Sequence, residues 1–174
     1  MPVTRALRHV VRALFELYAY DFSSFTGADV NEAGRYTDAD FLRGWRYNGD
    51  QDTWLFLLRV AGHWAGFAWV GRGSFVMPEA AHAHWLMEEF FILRKYRRQG
   101  HGTWLAGQVF ARFPGTWEVG ELAANIPAQH FWRTVIQRLV GSFEEHCVNN
   151  ARWQGIVQIF QCHSGCQEQP QAGA

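Results

Sequence analysis

Two apolar runs separated by only two residues set the tightest limit on the fold. Thr53-Trp-Leu-Phe-Leu-Leu-Arg-Val60 and His63-Trp-Ala-Gly-Phe-Ala-Trp-Val70 flank Ala61-Gly62. A two-residue connection that contains glycine predicts a β-hairpin. The remaining segments must then supply further strands and the helices that cover them.

Arg5 to about Tyr18 predicts an amphipathic helix, because Leu7, Val10, Val11, Leu14, Leu17 and Tyr18 recur at three- and four-residue spacing. Residues 20–36 are polar and read as a loop holding Asp21, Asp29 and Glu32. A second short helix is predicted from Thr37, whose hydroxyl can cap it, carrying Phe41, Leu42 and Trp45. His84 to Leu93 is a third apolar run, interrupted by Glu88-Glu89. Gly100 to Phe113 reads as a helix stopped by Pro114-Gly115, Thr116 to Leu122 as a strand, and Ala128 to Leu139 as a helix. Gly141 to Cys147 and Gly155 to Cys162 are two more strands, and residues 164–174 read as a disordered tail. The order predicts an α/β or α+β layer fold with a mixed sheet, in one domain over residues 1–163.

Composition narrows the function classes. A chain of 174 residues can bury close to 70% of the surface it exposes when unfolded, so it needs no staples. Its 16 basic and 16 acidic groups cancel, which argues against a nucleic-acid partner bound by charge alone. An apolar content of 48% against 18% charged excludes disorder. No apolar run reaches the roughly 20 residues of a membrane helix, and Met-Pro-Val-Thr-Arg is not followed by the apolar core of a secretion signal. Three cysteines, Cys147, Cys162 and Cys166, do not suggest a disulfide framework, and the expectation is a cytoplasmic protein. His82 and His84 lack the further ligands of a zinc site.

One stretch carries chemistry: Met87-Glu-Glu-Phe-Phe-Ile-Leu-Arg-Lys-Tyr-Arg-Arg-Gln-Gly-His-Gly-Thr103. A strand runs into a basic loop, then Gly100-x-Gly102, then a helix. Glycines at a helix start let backbone N–H groups approach a ligand, and the helix end adds partial positive charge. Together they suit a phosphate. The Gly-Lys-Ser/Thr of a Walker loop is absent, and Leu105 stands where a dinucleotide fingerprint needs its third glycine. The same punctuation also makes a plain strand-to-helix turn.

Arg97-Arg98-Gln99-Gly100-His101-Gly102 resembles the Arg/Gln-x-x-Gly-x-Gly/Ala signature of the GCN5-related N-acetyltransferases, and Asn125-Ile-Pro-Ala128-Gln-His-Phe131-Trp132 resembles their Asn-x-x-Ala-x-x-Phe-Tyr block. The resemblance covers roughly Thr53 to Cys162 and points to a bacterial subgroup of unassigned substrate. It implies a mostly antiparallel central sheet flanked by helices, with two splayed parallel strands. Only Met1 to Thr4 precede the first helix, so the family's opening edge strand is either missing or replaced by a neighbouring chain in a homodimer.

The resemblance further implies acetyl-CoA, with pantetheine along Phe90, Phe91 and Ile92 and pyrophosphate on Arg97, Arg98, Gln99, Gly100, His101, Gly102 and Thr103. Asn125 and Phe131 match pantetheine contacts. An amine then attacks the thioester and must lose a proton. The candidate bases are Glu88, Glu89, Glu118 and Glu121, with Glu89 favoured and Glu118 next. Strand alternation puts Glu88 and Glu89 on opposite faces. Trp132 replaces the tyrosine that commonly protonates the departing thiolate, and indole is no acid near neutral pH.

For the acceptor, Tyr20, Asp21, Glu32, Tyr36 and Trp132 are the candidate contacts. An acidic lining attracts a small cationic amine. Alternatives are a protein N-terminus or lysine as acceptor, or an acyl-CoA-binding module with little transfer.

Overall fold

The computed structural model describes residues 5–37 and 52–163. The predicted helix carrying Phe41, Leu42 and Trp45 lies outside the described residues. Among the described residues the elements run α1 (Arg8–Thr26), β1 (Trp54–Val60), β2 (His63–Arg72), β3 (Trp85–Ile92), α2 (His101–Arg112), β4 (Gly115–Leu122), α3 (Ile126–Val140), β5 (Glu144–Asn149) and β6 (Gln154–Cys162). No strand precedes α1 among them.

The strands form one sheet in the order β1-β2-β3-β4-β6-β5. The hairpin forms as predicted: Val60 pairs with His63, and Ala61 and Gly62 take φ of 47° and 81°. Positive φ at both central residues is the geometry that matches strand twist in a two-residue turn. β4–β6 and β5–β6 are also antiparallel, whereas β3–β4 is parallel. Its ladder joins Trp85, Leu86 and Met87 to Trp117, Glu118 and Val119. Both strands continue beyond it, β3 to Ile92 and β4 to Leu122.

The first helix is longer than the periodicity suggests. It runs through Tyr20 and Asp21 to Thr26, so the loop expected from residue 20 begins only at Gly27. Ser23 and Ser24 donate their hydroxyls to the carbonyls of Tyr20 and Asp21 (2.7 and 2.9 Å) and so remain inside the helix. Gly27, at φ 69°, ends it in a left-handed cap.

The contacts separate two units, residues 5–37, 52–71 and 88–97 in one, and 72–87 with 98–163 in the other. In the first, Val11, Leu14 and Phe15 of α1 pack on Leu55, Leu57, Phe67 and Phe91 of β1, β2 and β3. Phe15 stacks on Phe67 with ring centroids 4.4 Å apart. Burying a side chain of this kind contributes about 1.5–3 kcal/mol. β2 and β3 approach so closely at Gly66 that a Cβ there would lie 2.1 Å from the Phe91 carbonyl oxygen. In the second unit Phe110 of α2 is the hub, with Trp117 and Phe160 edge-on at 4.8 and 5.0 Å and Trp132 at 6.1 Å.

Candidate active site

Glu88 and Glu89 follow directly on the parallel ladder, in the part of β3 that runs beside β2. Alternation separates them as expected. Glu88 is exposed and lies over Gly71 of β2, whose added Cβ would sit 2.6 Å from Glu88 Oε1. Glu89 is partly buried and faces α1, where the Tyr18 hydroxyl donates to its Oε2. Burial pushes the Glu89 carboxyl up to about 7, with the neighbouring Glu88 charge adding to the rise and the Tyr18 hydrogen bond opposing it. The Tyr18 phenol is raised in turn by its own burial and by the Glu89 charge.

Tyr18 is the residue that sequence reading does not single out, since its place in the apolar stripe of α1 reads as packing. The available signal is its hydroxyl, because a phenol in such a stripe needs a hydrogen-bond partner once buried.

Asp21, one helical turn further, is not free to line an acceptor site. It accepts from Arg94 Nε at 2.8 Å and from Arg97 Nη2 at 2.6 Å. These arginines hold its carboxyl below the usual range, outweighing the burial that acts against them. Arg97 also donates Nε to the Ile92 carbonyl at 2.7 Å, so its expected phosphate role competes with two contacts inside its own unit. Tyr20 is exposed, with the Tyr36 ring 6.1 Å away. Tyr36 and Thr37 are tied to α1 through Glu16, which accepts both of their N–H groups. Glu32 is exposed in the turn that follows α1.

In the second unit, the glycine loop opens α2 with Gly100 at φ 80° and no side-chain cap. Arg98 is also left-handed, at φ 58°. The Trp104 N–H to Gly100 carbonyl bond (2.9 Å) closes the first helical turn, which leaves the N–H groups of Gly102 and Thr103 without helical acceptors. A Cβ on Gly100 would meet nothing within 4 Å, so this end of the helix faces open space. An uncapped helix start that follows Arg98 fits a phosphate-bearing ligand. Gln99 and His101 lie within this loop and first turn, as expected.

Glu118 is fully buried, and its carboxylate is taken up by three donors. Ser74 Oγ and Phe75 N–H donate to it at 2.5 and 2.8 Å, and His84 Nδ1 lies 2.7 Å from Oε1. That geometry pins the segment between β2 and β3 and suits a structural anchor better than a base. Asn125 caps α3, its Oδ1 accepting from the Ala128 N–H at 3.2 Å. Phe131 packs edge-on against Trp132 at 5.0 Å. Trp132 itself is only 5% exposed and belongs to the Phe110 cluster, which removes it from an acceptor-facing role. Glu121 is buried with no well-formed hydrogen bond to either oxygen among the described residues, and burial, reinforced by the Glu145 charge, pushes it up to about 9.

The model of the acetyltransferase (GNAT) family matches residues 6–135, and the chain belongs to that family. Members of this family draw on acyl-CoA, and acyltransferase activity follows from membership. No curated protein matches the chain. Among solved structures, an acetyltransferase from Thermus thermophilus is similar at 15% identity and TM-score 0.64, over 92% of this chain and 94% of that one. An N-acetyltransferase from Staphylococcus aureus Mu50 is similar at 10% identity and TM-score 0.62, over 94% and 97%. Nourseothricin acetyltransferase is similar at 19% identity and TM-score 0.50, over 68% and 71%. At these identities the likeness concerns the fold. No helix among the described residues is long and apolar enough to cross a membrane.

Proposed function

We propose that the chain moves the acetyl group of acetyl-CoA to the primary amine of a small cationic molecule, with Glu89 as the general base. The observation that carries this reading is the Glu89 carboxyl on β3, packed against α1 with the Tyr18 hydroxyl donating to its Oε2; burial there pushes it up to about 7. An alkyl amine with a pKa near about 10.4 arrives protonated. A base that is half ionised near neutral pH accepts its proton, directly or through water, and can still release it. An ordinary carboxylate, several units more acidic, is a weaker acceptor.

When bound, acetyl-CoA supplies the activated thioester. The residues proposed to hold it are Arg98, Gln99, Gly100, His101, Gly102 and Thr103 for the phosphates, Phe90, Phe91 and Ile92 along the pantetheine, and Asn125 and Phe131 beside it. Backbone N–H groups do most of this, so side-chain identity at His101 matters little. Tyr20, Tyr36 and Glu32 remain the proposed acceptor contacts. Asp21 is the weakest of that set because Arg94 and Arg97 already neutralise it. Trp132, buried and without an acidic proton, is not assigned to the thiolate. The chain is proposed to act in the cytoplasm, on a small molecule rather than on nucleic acid or a membrane.

The test is thiol release from acetyl-CoA across a panel of polyamines, aminoglycosides, amino-acid amides and lysine peptides. Turnover on the small cations is expected. Turnover confined to neutral or anionic acceptors overturns the acceptor reading, and turnover confined to lysine peptides or protein N-termini moves it to a macromolecular substrate. Acetyl-CoA that raises the melting temperature yet supports no turnover on any amine leaves a binding module.

A further inference from the structure

We propose that Tyr18 is the positioning residue of this site: its hydroxyl fixes Glu89 through Oε2 and leaves Oε1 to accept the proton of the amine. The role rests on Glu89 being the base, as argued above.

The phenol is built in from several sides. Phe15, Tyr18 and Phe22 follow at three- and four-residue spacing on one face of α1. The Tyr18 ring stacks on Phe22 at 5.3 Å and meets Phe15, Phe67 and Phe91 edge-on at 5.8, 5.8 and 5.7 Å. These rings come from α1, β2 and β3, so the hydroxyl has little freedom to leave Glu89. No protein group donates to Glu89 Oε1 among the described residues, whereas Oε2 is occupied. The two oxygens are therefore inequivalent, with Oε2 committed to Tyr18 and Oε1 the one proposed to meet a substrate N–H.

The energetic consequence follows from the sign of the hydrogen bond. A donated O–H stabilises the ionised carboxylate over the neutral acid. Burial and the Glu88 charge act the other way. Tyr18, which faces Glu89 from α1, and Glu88, which acts by its charge from the opposite face of β3, are the titratable groups that bear on Glu89 among the described residues; the packed β2 contributes the Phe67 ring. Losing the hydroxyl leaves desolvation and Glu88 unopposed, and Glu89 holds its proton to higher pH. In the transfer step the proton passes from the amine nitrogen to Glu89 Oε1 as the nitrogen bonds the carbonyl carbon. Tyr18 keeps its own proton throughout, as its raised pKa requires.

The test is Tyr18→Phe, which keeps the ring and removes the hydroxyl. In a chain carrying carboxyl-labelled glutamate, NMR titration of Glu89 is expected to move upward by about one pH unit relative to wild type. This readout needs no substrate. With acetyl-CoA and the best amine of the panel, the acid limb of kcat/KM shifts by the same amount. Activity then falls about fivefold at pH 7 and returns to wild type above about pH 9. A purely structural role lowers activity equally at every pH and leaves the Glu89 titration in place, which overturns the inference. Glu89→Gln separates the two readings. An acid limb that survives in Glu89→Gln overturns Glu89 as the base whatever Tyr18 does. A limb lost in Glu89→Gln but unmoved in Tyr18→Phe overturns the role of Tyr18 alone.

Discussion

Replacing Glu121 by glutamine should stabilise the protein, and increasingly so as pH rises. The side chain is 3% exposed on β4, and neither carboxylate oxygen has a well-formed hydrogen-bond donor among the described residues. Gln158 Oε1, which is equally buried, also lacks one. Burial and the Glu145 charge raise Glu121 from 4.5 to about 9, with Arg133, the adjacent Gln158 amide and the backbone offsetting only part of this. The folded state therefore keeps the proton across the range in which the unfolded chain gives it up. Stability is full below pH 4.5, declines through neutral pH, and stops declining near pH 9, where the folded state ionises as well. Each pH unit in that window is worth about 1.4 kcal/mol, so the cost at pH 8 is about 3–5 kcal/mol. Glutamine mimics the neutral acid and cannot ionise. Urea unfolding of wild type and Glu121→Gln at half-unit steps from pH 5 to pH 9 measures the difference directly. The gap should open from near zero at the acid end with a slope of about 1.4 kcal/mol per unit. A gap that does not change with pH means Glu121 is ionised in the folded state, and the desolvation argument fails.

Other perturbations follow from the same contacts. Glu118→Ala strands the Ser74 hydroxyl, the Phe75 N–H and His84 in a buried site and should cost about 3 kcal/mol or more by thermal or urea unfolding, whereas loss of activity at unchanged stability would return Glu118 to the catalytic candidates. Gly66→Ala forces a Cβ to 2.1 Å from the Phe91 carbonyl oxygen and should cost about 3 kcal/mol through separation of β2 from β3. Gly100→Ala has open space around the new atom and should cost only about 1 kcal/mol for its left-handed φ. Asp21→Asn should change the melting temperature little, and added salt should erase the difference, because Arg94 and Arg97 hold Asp21 at an exposed surface.

How far the sequence could be read depended on the range of the interactions involved. The Ala61-Gly62 hairpin and the Gly100 helix start are local, decided by neighbouring residues and by φ, and both stand where the pattern put them. The alternation of Glu88 and Glu89 is a property of any strand. The end of α1 was misplaced because its polar last turn breaks the apolar period; the serine back-bonds and the Gly27 cap carry the helix on. The partners of three acids were not legible at all. Glu89 meets Tyr18 across 71 residues, Asp21 meets Arg97 across 76, and Glu118 meets Ser74 across 44. Each carboxyl looks alike in sequence, and only its tertiary partners make one a candidate base, one an ion-pair anchor and one a buried strut. The GNAT signature marks the loop proposed for the cofactor, but it carries no information on what sits against Glu89.

The central claim is that Glu89 takes the proton while the acetyl group passes to an amine. Mass spectrometry of the acetylated amine against thiol released, for wild type and Glu89→Gln at pH 8, tests it most directly. The account predicts one acetylated amine per thiol in wild type and a rate lowered by about a hundredfold or more in Glu89→Gln, with acetyl-CoA still bound. Equal rates in the two proteins, or thiol release without acetylated amine, would contradict it.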